Sequence, residues 1–537
     1  MCNRSPSRLL SVMSELRHVL TAAATLTLVA AWPAQAIELP ELMHSDWAAS
    51  RSDGALLRRF YALREHRPAW ADPATADRLR AAADASAQHG LEPTDYDPDR
   101  YAATLPMPAD LPADAQRDLA LSLAALRLAS DLSVGRLQPQ AVETDWGIAP
   151  PVFDPAAALA AILERSDLVT AFAELAPPHP GYAQLLPLLA RYREIAAQGG
   201  WPTIDTSGGT ADPGDPRLAV VQQRLIASGD LPAEANADLV AGLKRFQLRH
   251  GLATDGRAGK DTLAALNVSV EQRIAQIVAN LERWRWLPRQ FPERYIAVNA
   301  ADATLDFIDG TNPPLRLRVV VGETKHPTPV LRASIVGVTF NPPWNVPHSI
   351  ARKEILPKLR RNPGYLQEQN MVIRNGSLDD PFGLGVDWRK VHPERFPYTL
   401  QQRPGPLNAL GAIKLELPNK FDVYLHDTPS KKLFARAQRF FSHGCIRVDQ
   451  VGQLAQRLLP ADFRAPEAAE RGETVTVWLR QSMPVYLLYV TAFDAEGVPQ
   501  FRRDIYGRDA RITAALAARK AQAMRSEGDS GLRVVAR

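Results

Sequence analysis

One thiol and two imidazoles share the stretch Phe421 to Val448, FDVYLHDTPSKKLFARAQRFFSHGCIRV: Cys445, His426 and His443. The chain holds one other cysteine, Cys2. A cysteine becomes a useful nucleophile when a base or positive surroundings favour its thiolate. Alternation from Phe421 to His426 predicts a strand with Asp422, Tyr424 and His426 on one face, so His426 emerges at a strand end. Gly444 lets the backbone approach a bound carbonyl or adopt a special dihedral. Asp449 is expected to cap a helix running to Leu459, which sets the thiol just upstream of a positive helix end. A protonated histidine, Arg447 and that helix end would all favour thiolate. His426 is read as the base and His443 as a neighbour that shapes an oxyanion site. Two other readings use the same residues. A His/His/Cys zinc site lacks the CxxC or HExxH spacing that marks such centres. An inert thiol packed as a small hydrophobe fits badly beside Ser442, His443, Gly444 and Arg447.

The elements that must position these groups begin with an export signal. Arg4, Arg8 and Arg17 precede an apolar run, Val19 to Ala31, and then Ala34-Gln35-Ala36. This predicts a signal peptide over 1–36, cleaved after Ala36, with translation starting at Met1 or Met13. The run is short for a membrane span, so no stable span is expected after cleavage; an uncleaved signal would anchor the chain in the inner membrane. Cleavage leaves Cys445 as the sole cysteine, and its lack of a pairing partner in an oxidising compartment favours a reactive role. At 537 residues several domains are expected. A hydrophobic share of 46% and a charged share of 23% are those of a globular protein. A formal charge of only +4 argues against a nucleic-acid partner.

In order, residues 37–204 read as a helical scaffold, with Leu119 to Leu132, Ala156 to Leu175 and Tyr182 to Ile195 as its strongest helical stretches. Asp205 to Pro216 reads as a linker. Over 213–268, apolar stripes at Leu218, Val221 and Leu225 and at Leu239, Leu243 and Phe246, followed by turns at Gly251, Gly256 and Gly259, predict three helices. A connecting helix is expected over 269–290, with Trp284 and Trp286 as packing anchors. From 292 to 482 the period becomes strand-like, interrupted over 348–406 by a charged insertion able to cap a site. A C-terminal β-hairpin over 483–512 and a charged helical tail over 513–537, frayed near Ser526 to Gly531, complete the expectation. The fold class is multidomain α+β.

His426 followed by Ser442-His443-Gly444-Cys445-Ile446-Arg447 resembles the active-site signature of the L,D-transpeptidases with a YkuD-type catalytic domain. Thr328-Pro329 and NPPWNVP at 341–347 are similar to the same family. The three-helix unit, with its FQ…GL…DG…G…TL…LN series, resembles a peptidoglycan-binding module. FYALREHRPAW (60–70), SDLSVGRLQPQ (130–140) and LAPPHPGYAQLL…GGWPTI (175–204) are similar to the large periplasmic YcbB-like branch. Asn often stands at the position of Arg447 in the wider family, whereas the large branch commonly has Arg.

The resemblance implies a periplasmic enzyme of cell wall biogenesis acting on peptidoglycan stem peptides, with neither metal nor cofactor and with carbapenem-type inhibitors as ligands. Cys445 would attack the carbonyl of a meso-diaminopimelate joined to D-Ala, and His426 would serve as general base and acid. Asp427 would orient the imidazole through its carbonyl. Ser442, His443 and Gly444 would shape the oxyanion site with backbone N–H groups, and Arg447 would steer a carboxylate. The amine of a second stem would then form a 3→3 cross-link. An L,D-carboxypeptidase on the same fold is an alternative, because water resolves the same thioester. NlpC-type hydrolases carry Cys before His, the reverse of the order here. A non-catalytic wall-binding scaffold fits poorly with an intact His…SHGC set.

Overall fold

The computed structural model describes residues 53–104, 111–234, 237–310 and 312–534. The expected signal peptide and Cys2 lie outside these residues. None of the helices described is long and apolar enough to cross a membrane.

The N-terminal region is helical, as its Ala- and Leu-rich pattern predicts. Its central helix, Ala113–Ser133, is buried over most of its surface and packs against Gly54–Leu63 and Pro155–Ile162. The expected stretch from Ala156 to Leu175 is two helices, Pro155–Ile162 and Leu168–Ala173. Each has an aspartate cap, Asp154 and Asp167, whose carboxylate accepts an otherwise unpaired backbone N–H. The next unit has its three helices at Arg217–Ser228, Leu239–Arg249 and Lys260–Leu266, closed around Val221, Leu225, Leu243, Phe246 and Leu266. The expected linker is part of this unit. Ala211 bridges Ala258, and Arg217 donates to the carbonyls of Asp205 and Gly209. The connecting helix, Val270–Arg285, starts on a capping box formed by Ser269 and Gln272. Just beyond its end, Trp286 is fully buried, edge-on to Trp146 at 5.1 Å.

Fifteen strands are named in chain order: β1 (Trp146–Gly147), β2 (Arg294–Asn299), β3 (Thr304–Asp309), β4 (Asn312–Gly322), β5 (Val330–Phe340), β6 (Trp344–Asn345), β7 (Met371–Ile373), β8 (Leu400–Gln402), β9 (Ile413–Glu416), β10 (Leu425–His426), β11 (Phe440–Ser442), β12 (Ile446–Val448), β13 (Val475–Leu488), β14 (Ala492–Ala495) and β15 (Val498–Phe501). The main sheet runs β1-β5-β13-β2-β3-β4-β12-β10-β9, and β9 also pairs with β5, so the sheet closes on itself. Every second residue points into the enclosed core: Ile296 and Val298, Leu305 and Phe307, Leu317, Val319 and Val321, Val485 and Leu487. Strand β1 belongs to the helical region and pairs in parallel with β5. Strands β7 and β8 of the insertion form a small sheet, β6-β8-β7, with the short β6 just before it, and the insertion has its own core around Ile355, Leu359, Leu366, Trp388 and Leu400.

Several boundaries differ from expectation. Tyr295 to Asp309 is a hairpin of β2 and β3. Strand β13 crosses the expected division at 482 and 483, because Val485 to Leu488 pair with Ile296 to Asn299 in the main sheet. The C-terminal hairpin is therefore only β14 and β15. The helix Arg508–Val534 crosses the expected division at 512 and 513 and continues through 526–531. Its Arg519 pairs with Asp131, which ties the tail to the helical region.

Candidate active site

Cys445 sits at the mouth of β12 and His426 ends β10, its parallel neighbour, with Leu425 opposite Ile446 and His426 opposite Arg447. Paired residues in register share a face, so Tyr424, His426, Cys445 and Arg447 project to the same side of the sheet. The expected strand from Phe421 to His426 shrinks to two residues. Asp422 has φ +54, and the backbone turns there before β10 begins. That turn brings the Asp422 carbonyl to 3.8 Å from Cys445 Sγ, where it accepts from the thiol.

His426 is buried, and its Nδ1 lies 2.5 Å from the Asp427 carbonyl oxygen. A carbonyl only accepts, so Nδ1 carries the proton and Nε2 the lone pair. No hydrogen bond joins Nε2 to the thiol among the described residues. Asp427 is held in turn: its Oδ2 accepts from the Ala412 N–H at 3.0 Å and its Oδ1 pairs with Lys431.

The ionisation differs from expectation. Burial drives His426 down to about 3, and the nearby Arg447 guanidinium adds to the effect. The imidazole is neutral at neutral pH. Burial likewise pushes the Cys445 thiol up, against the opposing pull of the Tyr424 N–H and hydroxyl, Lys414 and Arg447. Asp449 caps nothing: the following helix is Val451–Leu458, with Gln450 at its N-cap at φ +49 and no side-chain cap. The resting pair is thus thiol and neutral imidazole, because desolvation penalises both charged forms.

Around the thiol, Ser442 Oγ donates to the Cys445 carbonyl at 2.5 Å and accepts from the Gly444 N–H at 3.2 Å. The Gly444 N–H is therefore occupied, whereas the Cys445 N–H has no acceptor among the described residues. Gly444 has φ +107, a conformation that L side chains rarely adopt, so the turn requires glycine. The His443 side chain is engaged by the insertion and by a neighbouring ring. Its Nε2 lies 2.5 Å from Glu354 Oε1 of the insertion, and its ring stacks on His326 at 4.8 Å. The expected role for His443 in an oxyanion site runs through its backbone N–H, and these side-chain contacts do not bear on it.

Three neighbours escaped the sequence reading. Tyr424 touches the thiol, its own ring lying beside His426 at 5.6 Å and under the Lys414 ammonium at 4.8 Å; its place in the FDVYLH alternation was the available signal. Glu354 lay in a charged insertion with nothing to single it out. Thr328 was noted only as part of a Thr-Pro pair, yet its hydroxyl donates to the Gly444 carbonyl at 2.8 Å.

Comparison with known families matches residues 293–477 to the family described as "L,D-transpeptidase catalytic domain" (YkuD). Residues 293–477 are a YkuD-type domain. This L,D-transpeptidase domain stands beside a match over 214–266 to "Putative peptidoglycan binding domain" and one over 55–189 to "Scaffold domain". A protein of Haemophilus influenzae named "Putative L,D-transpeptidase" is 34% identical over 275 residues, which cover 49% of this chain and 55% of that protein. The chain thus spans about half the length of this relative. The three matched regions lie on the helical region, the three-helix unit and the closed sheet with its insertion.

Proposed function

We propose that the chain is a peptidoglycan L,D-transpeptidase with Cys445 as nucleophile and His426 as general base and acid. One observation carries this reading: His426 Nδ1 is committed to the Asp427 carbonyl, which leaves its Nε2 lone pair on the face of the sheet that carries the Cys445 thiol. Cys445 Sγ attacks the carbonyl of a meso-diaminopimelate residue while His426 Nε2 takes the thiol proton. The unoccupied Cys445 N–H donates to the oxyanion, a contribution of about 3 kcal/mol for such a donor in other acyl-transfer enzymes. The C–N bond to D-Ala breaks, and the proton on His426 leaves with the D-Ala amine. The side-chain amine of a second stem then attacks the thioester, forms the 3→3 amide and returns the proton to sulfur. Starting from neutral partners, the proton moves as the S–C bond forms, so no buried ion pair has to persist.

In this reading Arg447 steers a substrate carboxylate, the insertion over 348–406 covers the bound stem, and the three-helix unit holds the glycan. Export of the chain places the reaction in the periplasm. The test is mass spectrometry of products from purified tetrapeptide muropeptides. A cross-linked dimer with release of D-Ala supports transpeptidation. Tripeptide without dimer would instead mean that water resolves the thioester. Unchanged substrate would overturn the proposal.

A further inference from the structure

The peptide joining Gly444 to Cys445 is held by Thr328, on a turn that is itself clamped from outside the matched catalytic domain. Its carbonyl accepts from Thr328 Oγ1 at 2.8 Å. Because a peptide is planar and trans, its C=O and N–H point in opposite directions, and holding the Gly444 oxygen aims the Cys445 N–H. Thr328 Oγ1 in turn accepts from the Gly322 N–H at 2.9 Å, which leaves its own proton for Gly444. Gly322 admits no other residue, since a Cβ there would lie 2.1 Å from the His326 carbonyl oxygen. The 322–328 turn is therefore packed backbone on backbone.

Two groups from the C-terminal segment clamp this turn. The Tyr506 hydroxyl donates to the Gly322 carbonyl at 2.6 Å. Arg508 Nη2 donates to the Thr328 carbonyl at 3.1 Å. Arg508 is 1% exposed and Glu143 fully buried, so this charge needs close partners. It finds them in the N-terminal region: Nη1 donates to Glu143 Oε2 at 2.7 Å and Nη2 to Asp145 Oδ2 at 2.5 Å. Glu143 also accepts from Arg283 Nε at 3.1 Å, and Arg283 reaches Asp509 at 2.6 Å. Glu143, Asp145, Arg283, Tyr506 and Arg508 all lie outside residues 293–477. Closure of the sheet does not explain why Tyr506 and Arg508, with the acids that brace Arg508, are directed at the turn whose Thr328 holds Gly444.

We propose that Arg508 and Tyr506, braced by Glu143 and Asp145, are positioning residues that act through Thr328 to aim the Cys445 N–H at the carbonyl under attack. The N-terminal helical region is then part of the catalytic apparatus and not only a spacer. This rests on Cys445 being the nucleophile.

The test uses the full chain and reads kcat and KM for D-Ala release from a disaccharide tetrapeptide. Thr328→Val keeps the shape and removes the hydroxyl. Its kcat falls about 10- to 100-fold, the scale of a misaimed oxyanion donor, with KM within about twofold. Thr328→Ser restores kcat to within about threefold, a rescue that a merely structural role would not predict. Tyr506→Phe, equally conservative in shape, lowers kcat about 10-fold by the same reasoning and decides the matter should Thr328→Val fail to fold. Cys445→Ala is run in parallel. Turnover by Cys445→Ala would overturn the nucleophile. A dead Cys445→Ala beside Thr328→Val and Tyr506→Phe at full kcat would overturn the positioning role alone.

Discussion

Glu354, on the insertion, meets His443, two residues before the thiol, with Oε1 2.5 Å from Nε2. The ring of His443 stacks on His326, whose Nδ1 lies 3.0 Å from Glu323. This is a side-chain link between the insertion and the loop that carries Cys445. The link is partly exposed, so its worth is about 0–1 kcal/mol. Glu354→Gln should therefore leave the melting temperature within about 2 °C of wild type. It should still raise hydrogen exchange over 348–359, because the first helical turns of the insertion lose their anchor. Unchanged exchange there would show that the insertion is held by other contacts.

On the proposed mechanism Cys445→Ala removes the nucleophile, while deleting one partly exposed sulfur. D-Ala release should vanish, and the denaturation midpoint should stay close to that of wild type. A carbapenem should add its mass to the wild-type chain and not to this variant. Turnover by the alanine variant would refute the assignment.

On the proposed mechanism His426→Ala should lower kcat by about 10²- to 10⁴-fold, the range for a lost general base. The pH profile carries more information. With a folded value near 3 against an ordinary 6.5, the imidazole stays a free base at every pH above about 4. Acylation by a carbapenem should show no acidic limb near pH 6.5. A limb at that value would mean that the site solvates the imidazole.

The same depression makes stability depend on pH. In the unfolded chain His426 binds a proton as pH falls below 6.5, whereas in the folded chain it resists until about 3. The unfolded state holds more protons in that window, so stability is full above pH 6.5 and is lost progressively toward pH 3. His89, buried and lowered to about 4, acts in the same direction. Urea midpoints at pH 7 and pH 5 should differ for wild type and differ less for His89→Asn. Equal midpoints for wild type would contradict the burial argument.

Trp286 is fully buried, edge-on to Trp146. Trp286→Ala should cost about 3–5 kcal/mol and lower the melting temperature of the helical region and the sheet together, because it removes packing that both share. Separate transitions, with only one shifted, would show that the two regions unfold independently.

Much of this was legible in the residues themselves. The order His426 before Ser442-His443-Gly444-Cys445 marked the resemblance of this region to the L,D-transpeptidase catalytic domain, since such a signature is confined to short spans of sequence. Apolar stripes at Val221, Leu225, Leu243 and Phe246 marked the three-helix unit for the same local reason. Boundaries were less legible. Strand β13 runs through a division that hydropathy suggested, because its partners, β2 and β5, lie far away in the chain.

By itself, then, the sequence determined which chemistry was available: a thiol at Cys445, a strand-end imidazole and a glycine just before that thiol. Tertiary structure decided how those groups are charged and aimed. Burial makes the imidazole neutral and raises the thiol, reversing the thiolate expected from nearby positive groups. Glu354 from the insertion engages the His443 imidazole, and Thr328 holds the Gly444 carbonyl. The physical reason is that desolvation and hydrogen-bond geometry depend on every element packed around a group. Spacing along the chain records only its immediate neighbours.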